Sequence, residues 1–72
     1  MQIERLVAMA NQIADYFAAE PDKQEAVAST ASHLRRFWDP RMRKQIIAHG
    51  QGGGAGLKDI ARAAVAQLDG SQ

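Results

Sequence analysis

The chain has 72 residues, enough for one small domain whose core is marginal. Zero cysteines exclude disulfides, thiolate zinc sites and conventional iron–sulfur clusters, and His33 and His49 lie too far apart in sequence to suggest a shared metal. At 46% hydrophobic, 24% charged and a net charge of +1, it falls outside the disordered class and outside the strongly basic class of dedicated nucleic-acid binders.

In chain order, apolar side chains at Ile3, Leu6, Val7, Ala10, Ile13, Ala14 and Phe17 recur at intervals of three and four. They put one stripe along a helix, expected over 2–19. Its longest apolar run, Leu6–Ala10, is too short to span a bilayer. The opening Met1-Gln2-Ile3-Glu4-Arg5 lacks the basic start and apolar centre of a signal peptide, so a cytoplasmic location is expected. Pro21 breaks the first helix, and Asp22 is placed to cap the second, with Glu25 at the N3 position of a capping box. Val27, Ala31, Leu34 and Trp38 carry the stripe of that second helix, expected over 22–38, with Thr30 and Phe37 beside it.

Asp39-Pro40 joins a preferred N-cap to the residue favoured at the first helical position. A third helix is therefore expected over 40–49, presenting Met42, Ile46 and Ile47 and ended by Gly50. The last helix, expected over 57–68, carries Leu57, Ile60, Ala61, Ala64, Val65 and Leu68, with Asp59 suited to the dipole of its first turn. No period-two run of β-branched residues occurs. The expected fold is all-α: a small bundle of three to four helices with a Gly-rich connector. It forms one domain over 1–69, with 70–72 as a frayed tail.

Gly50-Gln51-Gly52-Gly53-Gly54-Ala55 fits G-x-G-x-x-A, yet a dinucleotide fingerprint follows a strand, and here a helix precedes. The segment also lacks the Gly-Lys-Ser/Thr ending of a phosphate loop. It reads as a flexible connector, in which serine should replace Gly52, Gly53 and Gly54 without consequence. His33 has no nucleophile elbow near it and reads as a surface or interface histidine, while His49 suits a helix C-terminus. No catalytic, cofactor-binding or metal-binding residue is expected.

Charge is distributed unevenly. Residues 1–32 hold Arg5 and Lys23 against Glu4, Asp15, Glu20, Asp22 and Glu25, whereas residues 33–44 hold five cationic side chains against Asp39 alone. That basic stretch also contains the single Trp. Arg, Trp and Met are enriched at interfaces, and guanidinium groups fork onto carboxylates and stack on aromatics. Arg35, Arg36, Phe37, Trp38, Arg41, Met42 and Arg43 are accordingly the expected partner-binding residues of a docking corner.

Met9-Ala10-Asn11-Gln12-Ile13, Phe17, Pro21, His33-Leu34-Arg35-Arg36-Phe37-Trp38 and Pro40-Arg41-Met42-Arg43 together resemble the delta subunit of soluble NAD-dependent formate dehydrogenases. The resemblance runs from the N-terminus through about Ile47 and resumes over Gly56–Leu68. It implies a small non-catalytic, stabilising subunit of a cytoplasmic bacterial molybdenum enzyme, docked on the large alpha subunit and supporting assembly or activity. In that family the larger subunits hold molybdopterin guanine dinucleotide, iron–sulfur clusters and FMN, and pass electrons from formate to NAD⁺. The delta subunit is expected to hold no cofactor itself.

Two alternatives stand beside this reading. One is a dissociable assembly factor that leaves the mature molybdenum enzyme. The other is a small helical nucleic-acid binder using Arg35, Arg36, Arg41, Arg43 and Lys44 on phosphates, against which the low net charge weighs. Neither a membrane nor a nucleic-acid partner is expected.

Overall fold

A computed structural model describes residues 2–70. Four helices follow one another: α1 (Ile3–Phe17), α2 (Lys23–Phe37), α3 (Pro40–Gln51) and α4 (Asp59–Gly70), with no strand among the described residues. The expected all-α bundle is what forms. The pair α2 and α4 shares the most extensive interface, α1 lies against α2, α3 and α4, and α3 closes on α4.

The core is built from few large side chains. Leu6, Leu34, Ile46, Val65 and Leu68 are buried, joined by Trp38, Ile47 and Leu57. Elsewhere the helices meet on alanine, with Ala10 and Ala14 on α1, Ala26 and Ala31 on α2, and Ala61 and Ala64 on α4 all buried. Small contact residues bring helix axes toward the near end of the usual range of about 8–10 Å, which lets a short chain close its core. Thr30, polar and fully buried, donates its hydroxyl to the Ala26 carbonyl at 2.8 Å and so is not left unpaired.

Helix boundaries follow the capping chemistry with some shifts. Asp22 Oδ1 accepts from Gln24 N at 3.0 Å, and Asp39 Oδ1 accepts from Met42 N at 2.9 Å, with Pro40 opening α3 as expected. The reciprocal half of the capping box does not form. The Asp22 N–H donates instead to Glu20 Oε1 at 3.3 Å, so Glu25 is not its partner. The first helix ends at Phe17 rather than at 19, where Ala18 N and Glu20 N close a turn onto Ala14 O and Phe17 O.

The largest departure lies between α3 and α4. Gly50 does not end α3, which continues to Gln51. Gly50 packs so near α4 that a Cβ there would stand 2.9 Å from Val65 Cγ1, so glycine serves helix approach at this position. The left-handed residues that follow are Gly53 at φ +116°, Gly54 at φ +65° and Gly56 at φ +86°. Residues Leu57 and Lys58 stay outside α4, and the helix runs on through Asp69 and Gly70; Ser71 and Gln72, assigned to the tail, lie outside the described residues.

This segment is not a slack connector. Asn11 on α1 clasps it with both ends of its amide, Nδ2 donating to Gly56 O and Oδ1 accepting from Lys58 N, each at 2.9 Å. Arg62 donates to Gly53 O and, at 3.1 Å, to Leu57 O, while His49 Nε2 lies 2.8 Å from Ala55 O. Leu57 is plugged into the core. Lys58 Nζ also meets Asp15 Oδ2 at 2.9 Å, a pair exposed on both sides and therefore worth little. The composition of a flexible linker is used here for a bound, left-handed turn.

Candidate functional site

The corner between α2 and α3 divides its residues sharply. Trp38 is 5% exposed and belongs to the core cluster, whereas its neighbour Phe37 is 71% exposed. Successive helical residues are turned about 100° apart, so one faces the bundle and the other faces solvent. Trp38 therefore is not a surface anchor. Expected among the partner-binding residues, it lies in the core cluster and holds the corner from within.

Arg43 is also committed inside the chain. From the first turn of α3 its Nη1 reaches back to donate to Arg35 O, at 3.1 Å, and to Trp38 O. These carbonyls stand at the C-terminal end of α2, where a helix gathers its outward-facing acceptors. A guanidinium there satisfies them and complements the negative end of the helix dipole. Arg43 thus fixes the angle between α2 and α3. Met42 is half-buried against the core, while Arg35, Arg36 and Arg41 are exposed.

Replacing Arg43 with Met keeps an apolar stem but removes the donors, so the loss should be about 1–2 kcal/mol, the range for hydrogen bonds from a charged, partly exposed group. Arg41→Met, on the exposed side of the same turn, should stay within about 0.5 kcal/mol of the parent. Urea denaturation followed by circular dichroism separates the two. Equal midpoints for both variants would remove the capping role.

Sequence spacing does not bring α1 into this region, but the fold does. Phe17, at the end of α1, lies against α2, with Tyr16 edge-on to it. There Phe17 meets His33 with ring centroids 6.2 Å apart, and His33 meets Phe37 at 4.7 Å. Phe17 is half-buried rather than fully in the core, and Tyr16 is 77% exposed. The sequence signals for this cluster are the surface or interface reading of His33 and the place of Phe37 in the expected partner-binding set. Phe17 fits the apolar stripe of α1, and nothing local shows that α1 stops short of covering it.

No group of three or more His, Cys, Asp or Glu side chains among the described residues is placed to hold a metal ion. No helix among them is long and apolar enough to cross a membrane. In comparison with known proteins, residues 5–65 match the profile of a family described as NADH-dependent formate dehydrogenase delta subunit, FdsD. No curated protein and no solved structure matches the chain.

Proposed function

The chain belongs to the NADH-dependent formate dehydrogenase delta subunit family, and from that premise we propose that it is a non-catalytic accessory subunit that docks on the larger subunits. The docking site is placed on the molybdenum-bearing alpha subunit, in the cytoplasm, where the small chain supports assembly or stability of the complex. The observation that carries this reading is the exposure of Phe37 beside a corner locked by Trp38 and Arg43. A rigid frame that presents a large apolar group to solvent is the arrangement of an interface.

The chain's own residues do not suit the cofactors of such an enzyme. Without cysteine it offers no thiolate for an iron–sulfur cluster. The glycine turn does not serve as a phosphate cradle either, because the N–H groups of Gly53 and Gly54 are already given to Gly50 O and His49 O. Molybdopterin guanine dinucleotide, iron–sulfur clusters and FMN are assigned to the partner subunits. The engagement of Arg43 by α2 carbonyls further weakens the phosphate-binding alternative, since one of its five cations is already spoken for.

Affinity purification of the tagged chain from its native cells, with mass spectrometry and metal analysis, tests this reading. Co-elution of the larger formate dehydrogenase subunits together with molybdenum is expected. Recovery with nucleic acid, and without those subunits, would contradict it.

A further inference from the structure

The seam between α1 and α2 carries aromatic rings that the core does not use. Tyr16 and Phe37, at 77% and 71% exposed, are large apolar groups left in solvent. They are linked through their neighbours: Tyr16 stands edge-on to Phe17 with centroids 5.0 Å apart, and Phe17 and Phe37 flank His33. Four rings thus make one continuous strip from the end of α1 to the end of α2.

Beside the strip lies an open groove of about 370 Å³, floored by Ala28, Ser29 and Ser32 and bounded by Phe17, Phe37 and Arg36. The small floor residues leave room for side chains from outside. Being open and shallow, the groove suits protein side chains better than an enclosed small molecule, whose sites bury most of the ligand. Arg36 is the charged side chain that lines it, and Glu20 lines a neighbouring depression that shares Phe17 and Ser29 with it.

Resting on the subunit reading above, we infer that this groove receives an apolar segment of a larger subunit, which carries a carboxylate to meet Arg36. Three features of the chain favour such an occupant. The rings already touch one another, so little rotamer freedom remains to be lost on binding. Aromatic and Arg side chains dominate the energy of protein interfaces. The exposed guanidinium at the rim selects an acidic partner and penalises a basic one, which adds specificity as well as affinity.

The test is binding of the purified chain to the larger subunits produced without it, measured by interferometry at two salt concentrations. Phe37→Ala and Tyr16→Ala alter exposed groups, and circular dichroism will show the helices retained. Phe37→Ala should weaken binding about 30-fold or more, the threshold of a hot spot. Arg36→Glu should weaken it at least about tenfold, with Arg36→Gln between it and the parent and less sensitive to salt. Ala63→Arg, in the separate groove between α2 and α4, should bind like the parent.

Parent-like binding by both Phe37→Ala and Arg36→Glu overturns the groove assignment while leaving the subunit reading intact. Loss of binding in Ala63→Arg alone would move the interface to α2 and α4 and overturn it too. Failure of the unaltered chain to bind overturns the subunit reading, and this inference with it. A dimer of the free chain dispersed by Phe37→Ala would give the groove to a second copy, which also contradicts the proposal.

Discussion

Truncating Trp38 to alanine should strongly destabilise the isolated chain at 25 °C, while truncating Phe37, one residue earlier, should barely change its stability. Trp38 is 5% exposed and sits in the cluster with Leu6, Leu34, Ile46 and Leu57, where its indole closes the end of the bundle at the α2–α3 corner. Removing a buried Trp or Phe side chain costs about 3–5 kcal/mol, through lost transfer energy and the cavity left behind. A 72-residue chain has roughly 4–11 kcal/mol to lose at the usual stability per residue. The substitution therefore removes between about a quarter and all of it. Phe37 leaves no cavity, and its truncation should fall within about 1 kcal/mol. Urea titration of both variants measures the contrast. Similar midpoints would mean that the indole does not close the core.

Gly54→Ala should be the most damaging glycine substitution in the turn, with a loss of about 2–3 kcal/mol. Gly54 is buried at φ +65°, a left-handed geometry that costs a residue with a Cβ about 1 kcal/mol or more. The new Cβ would also stand 2.9 Å from Arg62 Nη1 and 3.3 Å from Leu57 Cδ1. Arg62 could swing away, but only by giving up its bond to Gly53 O, and Leu57 is held in the core. Gly52→Ala provides the control, since Gly52 has φ −85° and its Cβ would lie at an ordinary 3.6 Å from Ala48 O. That change should be neutral or slightly stabilising, because it restricts only the unfolded chain. Equal thermal midpoints for Gly52→Ala and Gly54→Ala would show that the turn is slack after all. Serine at Gly52, Gly53 and Gly54 together is accordingly expected to destabilise the chain.

What could be read from the sequence was what depends on neighbours along it. The three- and four-residue spacing located all four helices, and Asp22 and Asp39-Pro40 marked two of their starts because capping is a contact over two or three residues. The stripe through Val27, Ala31, Leu34 and Trp38 already placed the indole on the inward face. Treating Phe37 and Trp38 as one surface anchor overlooked the turn of about 100° between adjacent residues.

Other features depend on chain segments far apart. Asn11 meets Gly56 and Lys58 across 45 and 47 positions, so the clasp on the turn has no local signature. Gly50 resembles a helix terminator unless Val65 is known to press against it. The aromatic strip depends on α1 ending beside α2, which sets Phe17 against His33 although neither sequence neighbourhood indicates it. In the corner, Arg43 reads as one more cation in a basic run. Only the fold shows its guanidinium folded back on α2.

These placements give the α2–α3 corner a division of labour. Trp38 and Arg43 hold the two helices at a fixed angle, and Phe37, Arg36 and Arg41 are carried on the outer side of that frame. A surface held rigid before contact loses little entropy on association. A marginal core also implies that the partner contributes to stability, since a ligand that binds only the folded chain raises its stability by mass action. The free chain should accordingly melt at a lower temperature than the same chain within its complex.

A resident subunit of a formate-oxidising complex stays with the active enzyme. Native mass spectrometry of the active enzyme, purified from its own cells without a tag on this chain, tests that most directly. A 7.8 kDa component at fixed stoichiometry in the particles that oxidise formate is the expected result. Fully active particles from which the chain is missing, with the chain found only on immature enzyme, would contradict it and identify a dissociable assembly factor instead.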